Sequence, residues 1–422
     1  MFVCRLDKPW LETPFLLQGF LIRTQEQAEE VRRHCGFVYI DPERGDDVGG
    51  ARPSRVAYGR TPPLHETRRR KSLKARGRPL RPLAEASADY DPDDIVEPVV
   101  ITPMEEELER AFDLHRDTRY VIDKVLNDAR LGKAIDVPEV KALVAELAQS
   151  AMRNPDALIF LTQLRAERQS VALHCINACI FSLIFGIHVG LPQEKLHVLG
   201  LGALLHDVGY IKLPQRLLDK PGALTAEESE VIRTHVAEGV SILQGASGIS
   251  SRVVALIQDH HERWDGRGYP RGKTRESIDY LGRVLGMVDV YDALTSPRPW
   301  RPAHSPYHAL RLLQQNADKD FERALVLQFV QCIGIYPVGS IVQLNTGDVG
   351  IVVFSHPRYR LRPRVRLLFD PQGDRYETPL EVDLITLQGG DPSLQQVTIQ
   401  SAVPPGKCGV GTRDLIAVGL HP

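Results

Sequence analysis

Residues 260–270 read His-His-Glu-Arg-Trp-Asp-Gly-Arg-Gly-Tyr-Pro. Two adjacent imidazoles are costly to bury unless a cation binds both of them. The Gly-Tyr-Pro end of the stretch favours a tight, non-helical turn beside the two rings. The stretch therefore predicts a buried metal site next to a fixed turn, and the residues around it decide what kind of site it is.

Other metal-ligating side chains lie in the apolar, helix-forming segments on either side of this stretch. His206 and Asp207 belong to the end of the apolar helical segment 196–208, which directs both side chains towards the protein interior. Imidazole nitrogens suit borderline transition metals, and a carboxylate can bridge two ions with its two oxygens. We therefore expect two divalent ions that share Asp207. The predicted ligands are His174, His206, Asp207, His235, His260, His261 and Asp289.

A site with two ions predicts a class of reaction. Two metal ions about 3.5–4 Å apart hold a shared hydroxide and clamp a phosphate between them. The chemistry indicated is in-line hydrolysis of a phosphoester, in which a metal-bridging hydroxide attacks phosphorus. His206 and Asp207 are the predicted catalytic pair. Asp292, one helical turn beyond Asp289, is expected to support a helix or a ligand instead of binding metal.

The composition is that of an ordinary soluble protein. Of the 422 residues, 43% are hydrophobic and 25% are charged, which favours several folded domains over a disordered chain. The formal net charge of -2 supplies no global field that would attract a nucleic-acid polymer or an anionic membrane. The apolar run 176–191 is shorter than the roughly 20 residues of a membrane helix and predicts a buried core helix, not a membrane span. Since no secretory signal opens the sequence, the predicted compartment is the cytoplasm.

Periodicity and punctuation divide the chain into five segments. Apolar pieces separated by proline and glycine predict a small α+β domain, and blocks of basic and then acidic residues predict a charged flexible linker. Helical periodicity follows, and alternating or β-branched runs predict a small antiparallel sheet or barrel with an irregular tail beyond about Gly389. The fold class is thus multidomain, with an all-α bundle between an α+β domain and a β-rich domain. The predicted boundaries are 1–65 (α+β), 66–100 (linker), 101–155 (helices packing on the catalytic domain), 156–335 (catalytic bundle) and 336–422 (β-rich domain with its tail).

Residues 156–335 resemble the HD-GYP phosphodiesterases. The motifs that carry the resemblance are Leu205-His206-Asp207-Val208-Gly209, Lys220-Pro221-Gly222, His235, residues 260–270, Asp289, Asp292-Ala293-Leu294-Thr295 and Arg298-Pro299. Their order and spacing follow the family, which implies a bundle of the HD type. Residues 9–15 and 336–340 also look like accessory regions found on one branch of it.

The resemblance implies hydrolysis of the bacterial second messenger cyclic di-GMP to linear pGpG and, in many members, on to GMP. It also implies two groups of ligands that share Asp207, with the Gly268-Tyr269-Pro270 turn supporting the site or serving as a docking surface for cyclase (GGDEF) domains. The metals that suit such ligands are Fe and Mn first, with Ni, Co and Zn as alternatives. The residues expected to contact the substrate are Arg298, Arg301, Tyr210, Lys212 and Tyr269.

Two positions depart from the family pattern. Members with a third metal carry a glutamate where this chain has Ser170, so two metals are expected. The usual phosphate-binding lysine is replaced by Tyr210, and Lys212 is a candidate to compensate for it. These departures leave open a second interpretation, a catalytically weak or inactive sensor that binds cyclic di-GMP and signals through its terminal domains. A third is an HD-type hydrolase of another nucleotide, and a homodimer is also left open.

Overall fold

The chain contains two compact units, Met1–Val96 and Glu97–Pro422. The computed structural model describes residues 2–6, 20–22, 25–34, 38–40, 102–164, 170–298, 301–356, 359–385, 397–404, 408–411 and 414–415. The predicted linker 66–100 lies outside these residues. The predicted multidomain class, with an α-helical bundle followed by an antiparallel sheet, is confirmed.

The N-terminal unit contains a small antiparallel sheet and one helix. Its strands are β1 (Phe2–Leu6), β2 (Phe20–Leu21) and β3 (Val38–Ile40), in the order β2-β1-β3. Helix α1 (Gln25–His34) lies between β2 and β3 in the chain, where the sequence predicts a polar helix. Its Val31 is buried and its Glu29 is exposed, as expected for a helix with one apolar face.

The second unit begins with a bundle of twelve helices among the described residues. They are α2 (Met104–Arg130), α3 (Val137–Arg153), α4 (Pro155–Gln163), α5 (Val171–His188), α6 (Gln193–Leu205), α7 (Gln215–Leu218), α8 (Ala226–Arg233), α9 (His235–Gln244), α10 (Ser251–Asp259), α11 (Tyr280–Thr295), α12 (Pro306–Gln315) and α13 (Arg323–Ile333). Two 3-10 helices, Val208–Lys212 and Arg275–Ser277, interrupt the series. The predicted helical region 101–155 corresponds to α2 and α3, whose apolar side chains belong to the same core as those of α5 and α6.

Helix α5 is the centre of this bundle. It is the one described helix long and apolar enough to cross a membrane, but 83% of that window is buried inside the protein. This agrees with the predicted core helix. Three aromatic rings join α5 to α11 and α13. Tyr291 of α11 packs edge-on against Phe181 of α5, with ring centroids 5.0 Å apart, and against Phe329 of α13, with ring centroids 5.1 Å apart. Truncation of such a buried ring costs about 3–5 kcal/mol, so these contacts fix α11 beside α5.

Polar caps set where the helices of the site begin. The Ser170 side chain accepts a hydrogen bond from Leu173 N at 3.2 Å and starts α5 four residues before His174. A capping box is present at α8, where the Thr225 side chain accepts from Glu228 N and the Glu228 carboxylate accepts from Thr225 N. Each cap satisfies backbone donors that the helix itself leaves unpaired.

A five-stranded antiparallel sheet follows the bundle. Its strands are β4 (Ile341–Leu344), β5 (Val349–Phe354), β6 (Arg364–Phe369), β7 (Arg375–Asp383) and β8 (Ile399–Val403), in the order β7-β6-β5-β4-β8. The predicted small antiparallel sheet is thus present after the bundle. The tail differs from its prediction, because β8 lies in the segment expected to be irregular and pairs with β4 through Val342 and Ala402. Glycine and proline around it hide the short alternating pattern of this strand.

Candidate metal centre

Most of the predicted ligands lie at or near helix ends, and all seven converge on one point. His206 immediately follows α6, and Asp207 immediately precedes the 3-10 helix Val208–Lys212. His235 is the first residue of α9, and His260 closes α10. His174 and Asp289 approach the same point from α5 and α11. The structure therefore brings all seven predicted ligands, with His261 beside His260, into one cluster, which we call the metal centre.

Two glycines allow the helices to come this close. A Cβ added at Gly209 would lie 1.9 Å from His235 O and 2.6 Å from Gly239 N. A Cβ added at Gly286 of α11 would lie 2.4 Å from His260 O. Neither distance is physically allowed, so only glycine lets the two backbones pass at van der Waals contact.

Backbone carbonyls fix three of the imidazole rings. The Nδ1 atom of His206 lies 2.8 Å from Ala203 O, that of His235 lies 2.7 Å from Ile232 O, and that of His260 lies 2.6 Å from Ile257 O. A carbonyl oxygen only accepts, so each Nδ1 must donate its hydrogen. In the neutral ring the lone pair is then on Nε2, which is the atom available to a metal.

Asp207 stands between the histidines. Its Oδ2 atom lies 3.6 Å from His174 Nε2 and 3.4 Å from His206 Nε2. Its Oδ1 atom lies 3.5 Å from His235 Nε2 and 3.9 Å from His260 Nε2. Each carboxylate oxygen therefore faces a different pair of imidazoles.

His261 and Asp289 complete the two groups. His261 Nε2 lies 3.1 Å from His235 Nε2, and its Nδ1 lies 3.8 Å from Asp289 Oδ2. Asp289 Oδ1 lies 3.0 Å from His174 Nε2. Asp289 thus contacts one histidine of each group, with one of its oxygens directed to each.

These residues fit divalent metal ions. The Nε2 atoms of His206 and His260 are buried without a hydrogen-bond partner among the described residues, which is unfavourable for a lone pair unless a cation binds it. The ligand atoms of Asp207, His235, His260 and His261 lie within 4.8 Å of one another, as do those of His174, His206 and Asp207. Burial lowers the pKa of His260 to about 3 and that of His261 well below its usual value, so both rings are neutral and available to a metal at neutral pH.

His174 is held by two carboxylates. Its Nδ1 atom lies 2.7 Å from Asp292 Oδ2, and Asn177 Nδ2 donates to Asp292 Oδ1 at 3.0 Å. Burial by itself would lower the pKa of His174, but its hydrogen bonds with Asp289 and Asp292 raise that pKa to about 10. Asp292 therefore has the supporting role expected from the sequence. Asn177 was missed, although an amide inside the apolar α5 needs a partner and indicates its presence.

The Gly-Tyr-Pro turn folds back on the metal centre. Tyr269 N donates to His261 O at 3.1 Å, and its ring stacks on the His261 ring with centroids 4.5 Å apart. A Cβ at Gly268 would lie 2.3 Å from Arg263 N, so the close approach requires glycine. Glu262, another residue that sequence analysis missed, accepts hydrogen bonds from the backbone N–H groups of Arg271 and Lys273 and closes the turn. The turn thus contacts His261, one of the predicted ligands, directly.

The predicted substrate residues are distributed unevenly. The Tyr210 ring stacks on the His235 ring, and Tyr269 on the His261 ring, so both lie at the metal centre. Lys212 is exposed at the end of the 3-10 helix. Arg298 and Arg301 pair through their backbones, but the Arg301 guanidinium donates to Ala293 O and Leu294 O at the end of α11.

Family models match three parts of the chain. An HD domain matches residues 165–325, a domain of unknown function matches 1–140, and a KOW domain associated with the HD domain matches 341–388. The HD match contains every residue of the metal centre. The KOW match covers strands β4 to β7.

One curated relative extends this likeness over nearly the whole chain, and others match about a third of it. A cyclic di-GMP phosphodiesterase of Pseudomonas aeruginosa is 31% identical over 389 residues, which are 92% of this chain and 86% of the relative. A cyclic di-GMP phosphodiesterase response regulator of Xanthomonas campestris is 38% identical over 32% of this chain and 36% of its own length. A 3'3'-cGAMP-specific phosphodiesterase of Vibrio cholerae is 32% identical over 38% of this chain and 30% of its own. With its HD domain, its cluster of histidines and aspartates suited to metal, and a relative that is 31% identical over 92% of the chain's length, the chain belongs to the HD-GYP family of phosphodiesterases.

Proposed function

We propose that the protein uses two divalent metal ions to hydrolyse cyclic di-GMP to linear pGpG. A second cleavage, of pGpG, would give GMP. One observation carries the proposal: the two oxygens of Asp207 face separate pairs of imidazoles, His174 with His206 and His235 with His260. A carboxylate placed in this way is suited to bridge two ions. The name of the Pseudomonas relative supplies the substrate.

The ligands divide into two sets that share Asp207. We assign His174, His206, Asp207 and Asp289 to one ion, and Asp207, His235, His260 and His261 to the other. A set of five histidines and two carboxylates favours Fe or Mn, and Ni, Co and Zn also suit such donors. Ser170 is used as the cap of α5, which supports two ions instead of three.

When bound, the two ions would lower the pKa of a water molecule and stabilise the negative charge that develops on the phosphate. The chain supplies the rest of the chemistry. The Nδ1 hydrogen bonds of His206, His235 and His260 orient the rings before the substrate arrives, which reduces the reorganisation needed during reaction. His206 and Asp207, the predicted catalytic pair, would act through the ions that they hold at the reacting phosphate.

Tyr210 takes the place of a charged phosphate contact. Burial raises the pKa of Tyr210 well above its usual value, and the nearby charge of Arg298 opposes this rise. The phenol is therefore neutral and offers a hydrogen-bond donor where the family usually has a lysine. We infer weaker substrate binding than a lysine would give, with Arg298 as the main cation for the phosphates.

A second substrate class has support from a specific likeness. The Vibrio relative is named for 3'3'-cGAMP, so cyclic GMP-AMP is the first competitor to test. The sensor interpretation, binding without hydrolysis, is motivated by Tyr210 and by the additional domains. Docking of GGDEF domains on Gly268-Tyr269-Pro270, homodimerisation and a cytoplasmic location stay predictions from the sequence.

The test is metal analysis of anaerobically purified protein, followed by chromatography of the products from cyclic di-GMP and cyclic GMP-AMP in competition. We expect two metal equivalents and release of pGpG from cyclic di-GMP. Asp207→Asn should lose the bound metal and should release no pGpG. His197 is an exposed histidine on the helix that leads to His206, so His197→Ala should behave as the wild type. Tight binding of cyclic di-GMP to fully loaded protein without any product would support the sensor instead.

A further inference from the structure

The guanidinium of Arg301 is bonded to the end of α11. Its Nη2 atom donates to Ala293 O at 2.7 Å, and its Nη1 atom donates to Leu294 O at 3.0 Å and to Pro302 O at 3.3 Å. Leu294 O also accepts from His304 N at 3.0 Å. These carbonyls have no partner within the helix, and a cation is favourable at this end of the helix dipole. Both terminal nitrogens of Arg301 are therefore committed to the protein.

Arg298 differs from Arg301 although the two have the same chemistry. Their backbones are joined in both directions, with Arg298 N donating to Arg301 O at 2.8 Å and Arg301 N donating to Arg298 O at 3.1 Å. Within the described part of the chain, no hydrogen bond or ion pair involves the Arg298 guanidinium. Among the described residues, the Arg301 guanidinium is thus bonded to the protein, whereas that of Arg298 is left available to a ligand.

We propose that Arg301 is a positioning residue: by closing the end of α11 it holds the backbone pair through which Arg298 is presented to the substrate. The proposal rests on the proposed function and replaces the direct substrate contact expected for Arg301 from the sequence. Because α11 also carries Asp289, the same helix end fixes Arg298 relative to the metal centre. Arg301 acts through Arg298, and the substrate contacts the guanidinium of Arg298 but not that of Arg301.

The competing role is a second phosphate contact by Arg301. In that case the two arginines contribute independently to kcat/KM, and a lysine at 301 keeps most of the activity because it retains the charge. A positioning role predicts that a lysine at 301 does not keep most of the activity, because lysine has no planar fork with which to donate to two neighbouring carbonyls. The effect of losing Arg301 should also disappear when Arg298 is already absent.

A double-mutant cycle decides between them. The kcat/KM for cyclic di-GMP is measured by product chromatography for wild type, Arg298→Ala, Arg301→Gln and the double variant, each checked for unchanged metal content. We expect Arg301→Gln to lower kcat/KM about tenfold in the wild-type background and less than about twofold in the Arg298→Ala background. Arg301→Lys should recover only part of the loss. Equal losses in both backgrounds, or near wild-type activity of Arg301→Lys, would overturn the proposal.

Hydrogen exchange supplies a readout that does not require turnover. In the metal-loaded protein, Arg301→Gln should speed exchange at the backbone amides of 290–298 and at His304 about tenfold, while Arg298→Ala leaves them unchanged. Unchanged protection in Arg301→Gln would contradict the contact on which the proposal depends. If the wild type neither binds nor hydrolyses cyclic di-GMP, the proposed function fails, whereas altered exchange would still show that Arg301 holds the helix end.

Discussion

The ring of Tyr210 lies parallel to the ring of His235, with centroids 4.3 Å apart and an interplanar angle of 11°. His235 is also held at its edge, since Nδ1 lies 2.7 Å from Ile232 O. The ligand is thus fixed by one contact on its face and one at its edge. A tyrosine at this position consequently orients a metal ligand, a task that the flexible chain of a lysine does not perform.

Removal of this stack should weaken metal binding. Tyr210→Leu leaves His235 with its edge contact alone, and we expect the affinity for one of two metal equivalents to fall about tenfold, at the lower end of the range for groups that orient ligands. Tyr210→Phe keeps the ring and should bind both equivalents as the wild type does. Metal titration with an absorbing chelator as competitor measures both variants. Equal affinities for Tyr210→Leu and Tyr210→Phe would show that the stack contributes nothing.

Asp292 should matter as much as a direct ligand for one group of the metal centre. It accepts from His174 Nδ1 and fixes which nitrogen of that ring faces Asp207. Asp292→Leu should weaken the metal held by His174 about 10–100-fold and lower activity in parallel. Ser296→Ala, which removes a longer contact of 3.4 Å to the same carboxylate, is the matched control and should change affinity little. Restoration of activity to Asp292→Leu by excess metal would separate lost affinity from lost chemistry.

The ligands could be predicted from the sequence because their chemistry is visible in their surroundings. Histidines and aspartates inside apolar helical segments have few explanations other than a metal, so even widely separated residues such as His174 and Asp289 could be assigned together. The two arginines 298 and 301 could not be distinguished in this way. Their roles depend on which guanidinium meets the carbonyls at the end of α11, and that is a tertiary contact without a pattern in the sequence.

Strand β8 illustrates the same limit in the fold. Its residues, Ile399–Val403, form a strand because β4 offers an unpaired edge, and nothing in the local sequence reports that edge. The bundle was easier to predict, since the apolar run of α5 and the capping box of α8 are local signals. Sequence reasoning thus predicted many of the elements and the residues that cluster at the metal centre, and it failed where a partner far along the chain decides the structure.

The contact between Gly209 and α9 should not tolerate a methyl group. Gly209→Ala would place Cβ at 1.9 Å from His235 O, so the 3-10 helix and α9 must separate and carry Asp207 away from His235. We expect a loss of about 3 kcal/mol in unfolding free energy, with loss of metal binding. Gly245→Ala, also at a helix end, would bring Cβ no closer than 3.6 Å to Ile242 O and serves as the control. Normal metal content in Gly209→Ala would contradict this packing.

The buried carboxylate of Glu107 should make the stability of the protein depend on pH. The side chain is fully buried and accepts from Arg153 at 2.7 and 2.8 Å and from Ser150 at 2.7 Å, which ties α2 to α3. Burial would raise the pKa of Glu107, but these hydrogen bonds and the charge of Arg153 lower it overall. The folded state therefore prefers the ionised form, and this contribution to stability is complete above the unfolded pKa of about 4.5 and is lost as the pH falls through the folded value.

Glu107→Gln should consequently destabilise the protein at neutral pH and much less in acid. We expect a loss of about 2 kcal/mol in unfolding free energy at about pH 7, typical of hydrogen bonds to a charged group, and a smaller difference from wild type at about pH 3.5. Urea denaturation of metal-free protein at both pH values measures this difference without interference from the metal centre. Glu109→Gln, an exposed acid on the same helix, should cost little at either pH. A difference between Glu107→Gln and wild type that persists undiminished in acid would mean that the shape of the side chain, and not its charge, joins the two helices.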